Sequence, residues 1–309
     1  GTAGNDTINF NPTDATSGVI TRDGSNPVIL YSNFATTTAT LRVNGAGGSD
    51  VLNVLGTTGE ANSQGGSARA TLMRAAAEST LAEFPLMVGT GTASLADTVE
   101  LTQLAAELGF DAALILPPFY YKGVSDDGLF AYFDTVIRSL HGRDTGVYLY
   151  NFPQMTGLSF SGELIARLLD AHPDRLRGMK DSSGDLDYTS RVAARFSGAF
   201  DVYPGSEGPL VDAVKKGYAG CISATVNATA RLAGHAWQHR AHPDPVDVER
   251  LQSMRDRIAA FPMVAAVKTL VSLRTGDDAW CQVLPPLCEL DEEDRTQLAS
   301  IAAALELTT

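Results

Sequence analysis

The chain has 309 residues, of which 44% are hydrophobic and 19% charged, and 23 basic side chains stand against 36 acidic ones for a formal net charge of −13. This composition supplies a sizeable core and excludes wholesale disorder. So acidic a field repels a phosphate backbone, which sets nucleic-acid binding aside. No apolar run approaches the roughly 20 residues that span a bilayer, and no signal peptide is legible, so a cytoplasmic protein without membrane contact is expected. The first residue is Gly1, as in a fragment or a processed product. Cys221, Cys281 and Cys288 form no C-x-x-C pattern, so neither a disulfide framework nor a zinc site is expected.

Residues 1–50 differ from the rest. They are rich in Gly, Thr, Asn, Ser and Asp and contain no lysine or glutamate. Short β-prone pieces (residues 27–31 and 39–43) lie between turn signals, with no helical periodicity. Residues 50–55 read as a strand, and from about Ala68 onward helical segments alternate with short apolar runs. Strands are predicted at 86–89, 112–116, 146–150, 176–180, 200–203 and 219–223, with helices near 95–108, 126–140, 161–171, 186–196 and 207–216. Apolar strands alternating with helices argue for a parallel sheet buried on both faces. About seven such units fit a (β/α)8 barrel better than an open sheet. The expected organisation is an atypical β-rich segment over 1–50, a barrel over 51–240 and a helical extension over 241–309 that packs outside the barrel.

In such a barrel the chemistry lies at the C-terminal ends of the strands. Thr57 and Thr58 follow the first strand in a Gly-Thr-Thr-Gly-Glu turn, which suits a carboxylate held by hydroxyls and amides but also reads as an ordinary glycine turn. Tyr150 and Lys180 end two further strands. Desolvation there favours a neutral amine, which attacks a ketone to form an imine, an electron sink for the adjacent C–C bond. The plain alternative is a lysine that snorkels to solvent. A phenol at Tyr150 suits proton transfer, or is a core aromatic with a satisfied hydroxyl. His235, His239 and His242 have near-helical spacing but read as a solvated helix end rather than a metal site.

Five motifs, in order and suitably spaced, carry a resemblance. They are Gly56-Thr57-Thr58-Gly59-Glu60, Pro117-Pro118-Phe119-Tyr120-Tyr121, Tyr150-Asn151-Phe152-Pro153, residues 178–184 around Lys180, and Gly217-Tyr218-Ala219-Gly220-Cys221-Ile222-Ser223. From about Val51 to the end the chain resembles the dihydrodipicolinate synthase / N-acetylneuraminate lyase family of pyruvate-dependent class I aldolases. The resemblance implies a TIM barrel with C-terminal helices, assembled as a homotetramer, that acts on pyruvate or a related 2-oxo acid with an aldehyde and needs no metal or organic cofactor. It implies that Lys180 forms the Schiff base and that Tyr150, Thr57 and Tyr120 relay protons, Tyr120 acting across a subunit interface. It also implies that Thr57 and Thr58 hold the carboxylate and that Gly205 and Ile222 line the pocket.

Two departures from the family stand out. Family members that make dihydrodipicolinate carry an arginine in Tyr-Asn-x-Pro-x-Arg, where this chain has Met155, without charge or bidentate donors. This points to a lyase or aldolase for another 2-oxo acid, with the synthase and a 2-oxo-acid dehydratase as alternatives. The first βα unit is also replaced. Residues 1–9 and 45–53 share a Gly-x-x-Gly-x-Asp-x-apolar-x pattern similar to hemolysin-type calcium-binding repeats. Two distant copies do not build a calcium-binding roll, so a β segment without metal is expected there. A junction near 55–57 is expected, with the 28–31 stretch a candidate to fill the first barrel position. Rival readings are a non-catalytic binding protein and an extracellular calcium-binding fragment.

Overall fold

The computed structural model describes residues 6–14, 17–21, 41–45, 52–79, 85–140 and 142–307. Strands β1 (Asp6–Asp14), β2 (Ser17–Thr21) and β3 (Leu41–Gly45) pair antiparallel in the order β2–β1–β3. They stand where the sequence offers no βα unit, and among the described residues they share no ladder with the second sheet. The proposed filler at 28–31 lies outside the described residues, as does most of the two glycine–aspartate motifs.

The second sheet is parallel and follows chain order: β4 (Leu52–Val54), β5 (Leu86–Gly89), β6 (Ala112–Ile115), β7 (Gly146–Asn151), β8 (Leu176–Asp181) and β9 (Asp201–Pro204). Residues 219–222 continue the order without forming a regular strand. The Ala219 amide donates to the Val202 carbonyl (3.0 Å) and the Ile222 amide to the Pro204 carbonyl (3.0 Å). Between the strands run α1 (Gly66–Ser79), α2 (Leu95–Glu107), α3 (Asp126–Arg138), a single turn α4 (Pro153–Thr156), α5 (Gly162–Ala171), α6 (Leu186–Arg195) and α7 (Ala213–Lys216). This is a TIM-barrel fold of the (β/α)8 class in which the first unit is replaced by β-type structure.

One detail differs from expectation: the helix predicted at 207–216 is a 3-10 turn over Gly208–Asp212 followed by α7.

Side-chain alternation along the strands divides the barrel into two apolar layers. Val147, Leu149, Met179 and Val202 face outward and pack with Phe133, Phe160 and Leu164 of the surrounding shell. Met87, Leu114, Tyr150 and Ile222 face inward together, with Tyr148 and Tyr203 against them. Gly178 makes room for this interior. A Cβ there would stand 2.7 Å from the Tyr148 ring and 2.3 Å from the Asp201 carbonyl oxygen.

The C-terminal helices are α8 (Val226–Gln238), α9 (Pro245–Ala259), α10 (Met263–Thr275) and α11 (Glu292–Ala304). They have an apolar core of their own around Ile258, Ala266, Leu270, Leu298 and Ile301. α8 was not distinguished in the sequence. Among the described residues no single helix is long and apolar enough to cross a membrane.

Candidate active site

The register of the parallel sheet creates the site. Tyr150 on β7 is paired with Lys180 on β8, and Lys180 with Tyr203 on β9. Tyr150 and Lys180 lie near the C-terminal ends of their strands. Both are buried, at 3% and 9% exposure. The Lys180 ammonium donates to the Tyr150 hydroxyl at 3.0 Å and stands 4.2 Å from the centre of its ring. Thr57 Oγ1 is 3.2 Å from the same hydroxyl. Amine, phenol and hydroxyl thus form one chain drawn from three strand ends.

This arrangement sets the acidity of Tyr150. Burial alone lifts the phenol, but the Lys180 charge, with hydrogen bonds involving Lys180, Thr57 and Ser182, holds it below the ordinary tyrosine value. Tyr148, two residues earlier on the same strand, shows the contrast. Burial, aided by the nearby Asp201 carboxylate, pushes its phenol up to about 12.

The chain opens into a cavity of about 500 Å³. Thr57, Thr58, Tyr150, Lys180, Gly205 and Met155 all line it. Ile222 packs deeper, in the interior layer beside Tyr150. Tyr120 lies elsewhere. It is 74% exposed on the loop after β6, in an edge-to-face pair with Tyr121 at 5.3 Å. The Lys122 ammonium fixes that loop by donating to the Phe119 carbonyl (2.5 Å) and, across to the end of α4, to the Thr156 carbonyl (2.7 Å).

Supporting polar groups surround the chain. The Asp181 carboxylate, next to Lys180, accepts from the Asn151 side-chain amide (2.8 Å), the Ser183 amide and hydroxyl (3.0 Å each) and the Thr189 hydroxyl (2.5 Å). It thereby ties β8 to β7 and to α6. Gly205 is confined to glycine by proximity, since a Cβ would stand 2.3 Å from the Ser182 hydroxyl oxygen and 2.9 Å from the Ser182 Cα. The turn bearing Thr57 and Thr58 begins after Leu55 (φ 57°) and ends at Glu60 (φ 54°), both left-handed and neither glycine. Such backbone costs about 1–2 kcal/mol per residue and persists where the surroundings hold it. At Glu60 the hold is visible. Its carboxylate is buried, accepts from the Lys268 ammonium on α10 at 2.7 Å and from the Leu284 amide at 2.8 Å. The same ammonium donates to the Gln282 carbonyl.

The far wall of the cavity is not legible in the sequence: Arg255 of α9, Pro262 and Met263 at the start of α10, and Leu287 before α11 line it. Arg255 carries no local motif. Glu60 and Asp181 sat inside quoted motifs without an assigned role. The histidines find ordinary partners: His235 Nε2 is 2.9 Å from Asp247 and His239 Nδ1 is 2.9 Å from the His235 carbonyl. Among the described residues no cluster of His, Cys, Asp or Glu has the makings of a metal site.

Fold and site define a barrel protein built around a buried lysine–tyrosine pair at the strand ends. Residues 32–305 match the dihydrodipicolinate synthetase family model. The chain is 32% identical over 271 residues to an uncharacterized DapA-like lyase of Chloroflexus aurantiacus, covering 86% of this chain and 87% of that protein. The solved structure of dihydrodipicolinate synthase from Agrobacterium tumefaciens is 33% identical, with a TM-score of 0.69 over 82% of this chain and 87% of that one. YagE of E. coli K12, a prophage protein of the dihydrodipicolinic acid synthase family solved with pyruvate, is 26% identical, with a TM-score of 0.73 over 83% and 87%. The chain belongs to the dihydrodipicolinate synthetase family, whose members are lyases of the class I aldolase type.

Proposed function

We propose that this chain forms an imine between Lys180 and the ketone of pyruvate or a pyruvate-releasing 2-oxo acid, and makes or breaks the neighbouring C–C bond with an aldehyde as the second partner. The observation that carries this reading is the contact of the Lys180 ammonium with Tyr150 and of Tyr150 with Thr57, at the wall of the cavity.

The chemistry follows from the contacts. The Tyr150 phenolate takes the Lys180 proton across the 3.0 Å contact, and Lys180 attacks the ketone carbon as a free amine. The ketone oxygen leaves as water, with the phenol as proton source. The resulting imine draws electrons from the bond beyond the methylene carbon. As the Tyr150 oxygen takes the proton of the neighbouring hydroxyl, cleavage gives an aldehyde and an enamine, and return of that proton to the enamine followed by hydrolysis gives pyruvate and Lys180. Thr57 keeps the Tyr150 hydroxyl aimed at the reacting atoms, and Thr58 with the turn amides receives the carboxylate. None of these steps asks for a metal or an organic cofactor.

In this reading Tyr120 acts on a neighbouring copy in a homotetramer, which its exposure on a loop at the catalytic end of the barrel supports. Residues 51–240 form the barrel and 241–309 the helical extension that roofs the cavity, with 1–50 a separate β-rich segment. Met155, exposed on α4 and uncharged, supports a second substrate other than the one that the synthases bind with arginine.

Exchange of the pyruvate methyl protons in heavy water, followed by proton NMR, tests the proposal. The enamine predicts exchange by the wild-type protein that is lost in Lys180→Met. A folded wild-type protein that leaves the methyl signal intact contradicts it.

A further inference from the structure

The cavity holds a cation that the imine chemistry does not use. Among the described residues that line it, Lys180 and Arg255 are the two with cationic side chains. Arg255 projects from α9, its side chain 24% exposed, and lines the cavity. Its Nε is buried and has no hydrogen-bond partner. Nη1 makes a long contact of 3.3 Å with Asp256 on the surface side.

The nearest buried carboxylate does not consume the guanidinium. Glu207 Oε2 is 3.7 Å from Arg255 Nε, beyond direct hydrogen bonding. The Glu207 oxygens are already taken by the hydroxyls of Ser223 (2.6 Å), Thr225 (2.6 Å) and Thr229 (2.7 Å). Glu207 therefore holds Arg255 in place by charge while its own lone pairs are spent elsewhere. The other acid in the wall, Asp181, is likewise saturated by Asn151, Ser183 and Thr189. Arg255 thus brings a guanidinium to the lining of a cavity whose α4 wall, at Met155, carries no charge. Guanidinium groups so placed recognise carboxylates.

We propose that Arg255 is a specificity-determining residue that binds a carboxylate at the end of the substrate remote from the ketone. The substrate class is then a 2-oxo acid with a second, distal carboxylate. This rests on the imine reading and sharpens it.

Borohydride trapping of imines on the full chain tests it. The ligands are 2-oxoglutarate, 2-oxoadipate and 2-oxopimelate, each paired with the monocarboxylic 2-oxo acid of the same chain length, and pyruvate serves as reference. The wild-type protein is expected to half-saturate with at least one diacid at about 10- to 100-fold lower concentration than with its partner, the usual worth of a charged hydrogen bond. Arg255→Met loses most of that preference, and Arg255→Lys keeps part of it. No preference at any length, or a preference that survives in Arg255→Met, overturns the proposal while pyruvate trapping still stands. Absence of the pyruvate adduct in folded wild-type protein overturns the imine reading and this proposal with it. If circular dichroism shows Arg255→Met unfolded, Arg255→Gln decides the same comparison.

Discussion

Replacing Lys268 by methionine removes half of the buried ion pair that ties the turn at 56–60 to α10. The Lys268 side chain is 6% exposed and that of Glu60 is 0% exposed, with 2.7 Å between the charged atoms. Burial lowers the Lys268 pKa, and the Glu60 contact opposes that shift. The carboxylate left behind keeps the Leu284 amide at 2.8 Å and loses its counter-charge. Breaking such a pair from one side costs about 3–5 kcal/mol, a large share of the roughly 5–15 kcal/mol that holds a domain folded. Urea unfolding followed by circular dichroism reads this as a lowered midpoint at unchanged slope. The double variant Glu60→Gln with Lys268→Met should recover part of the loss, since a neutral amide still accepts from Leu284 without stranding a charge. Because Thr57 and Thr58 share the turn, Lys268→Met should also weaken pyruvate binding. A Lys268→Met protein within about 1 kcal/mol of wild type refutes the claim that this pair braces the turn.

Further outcomes follow from the same contacts. Tyr150 should ionise below the ordinary tyrosine range, and a phenolate absorbance titration of wild type against Tyr150→Phe isolates it. The sign follows from linkage: its contribution to stability is present above the unfolded pKa and is lost as pH falls through the lower folded one. Lys180→Met removes the opposing charge, so burial then moves the phenol upward. Gly205→Ala should cost about 1–3 kcal/mol, because the new Cβ meets the Ser182 Cα at 2.9 Å and the Asp181 carbonyl oxygen at 3.0 Å; thermal melts check it. Thr57→Val should slow methyl-proton exchange about tenfold without changing the melting temperature much, since it removes one hydrogen bond to Tyr150 and keeps the volume.

The parallel strands were legible because they are apolar runs between helical segments, and their ends came within one or two residues. Tyr150, Lys180 and Thr57 were legible as polar residues at strand ends, where the barrel collects its chemistry. That their side chains touch depends on register, which no local pattern encodes. Arg255 and the roof of the cavity were invisible for the same reason, since 75 positions separate Arg255 from Lys180 in the chain and no periodic or motif signal links them. The pairing of Glu60 with Lys268 spans a still longer stretch. The helix expected over 207–216 divides at Asp212 into a 3-10 turn and α7, a break that no local signal in the sequence marks.

The central claim is that Lys180 is the imine-forming residue. Incubation of the folded protein with pyruvate and sodium borohydride, followed by digestion and peptide mass spectrometry, addresses it directly. The account predicts a reduced pyruvate adduct on Lys180, absent from Lys180→Met. An adduct on another lysine, or none in a protein that circular dichroism shows to be folded, contradicts it.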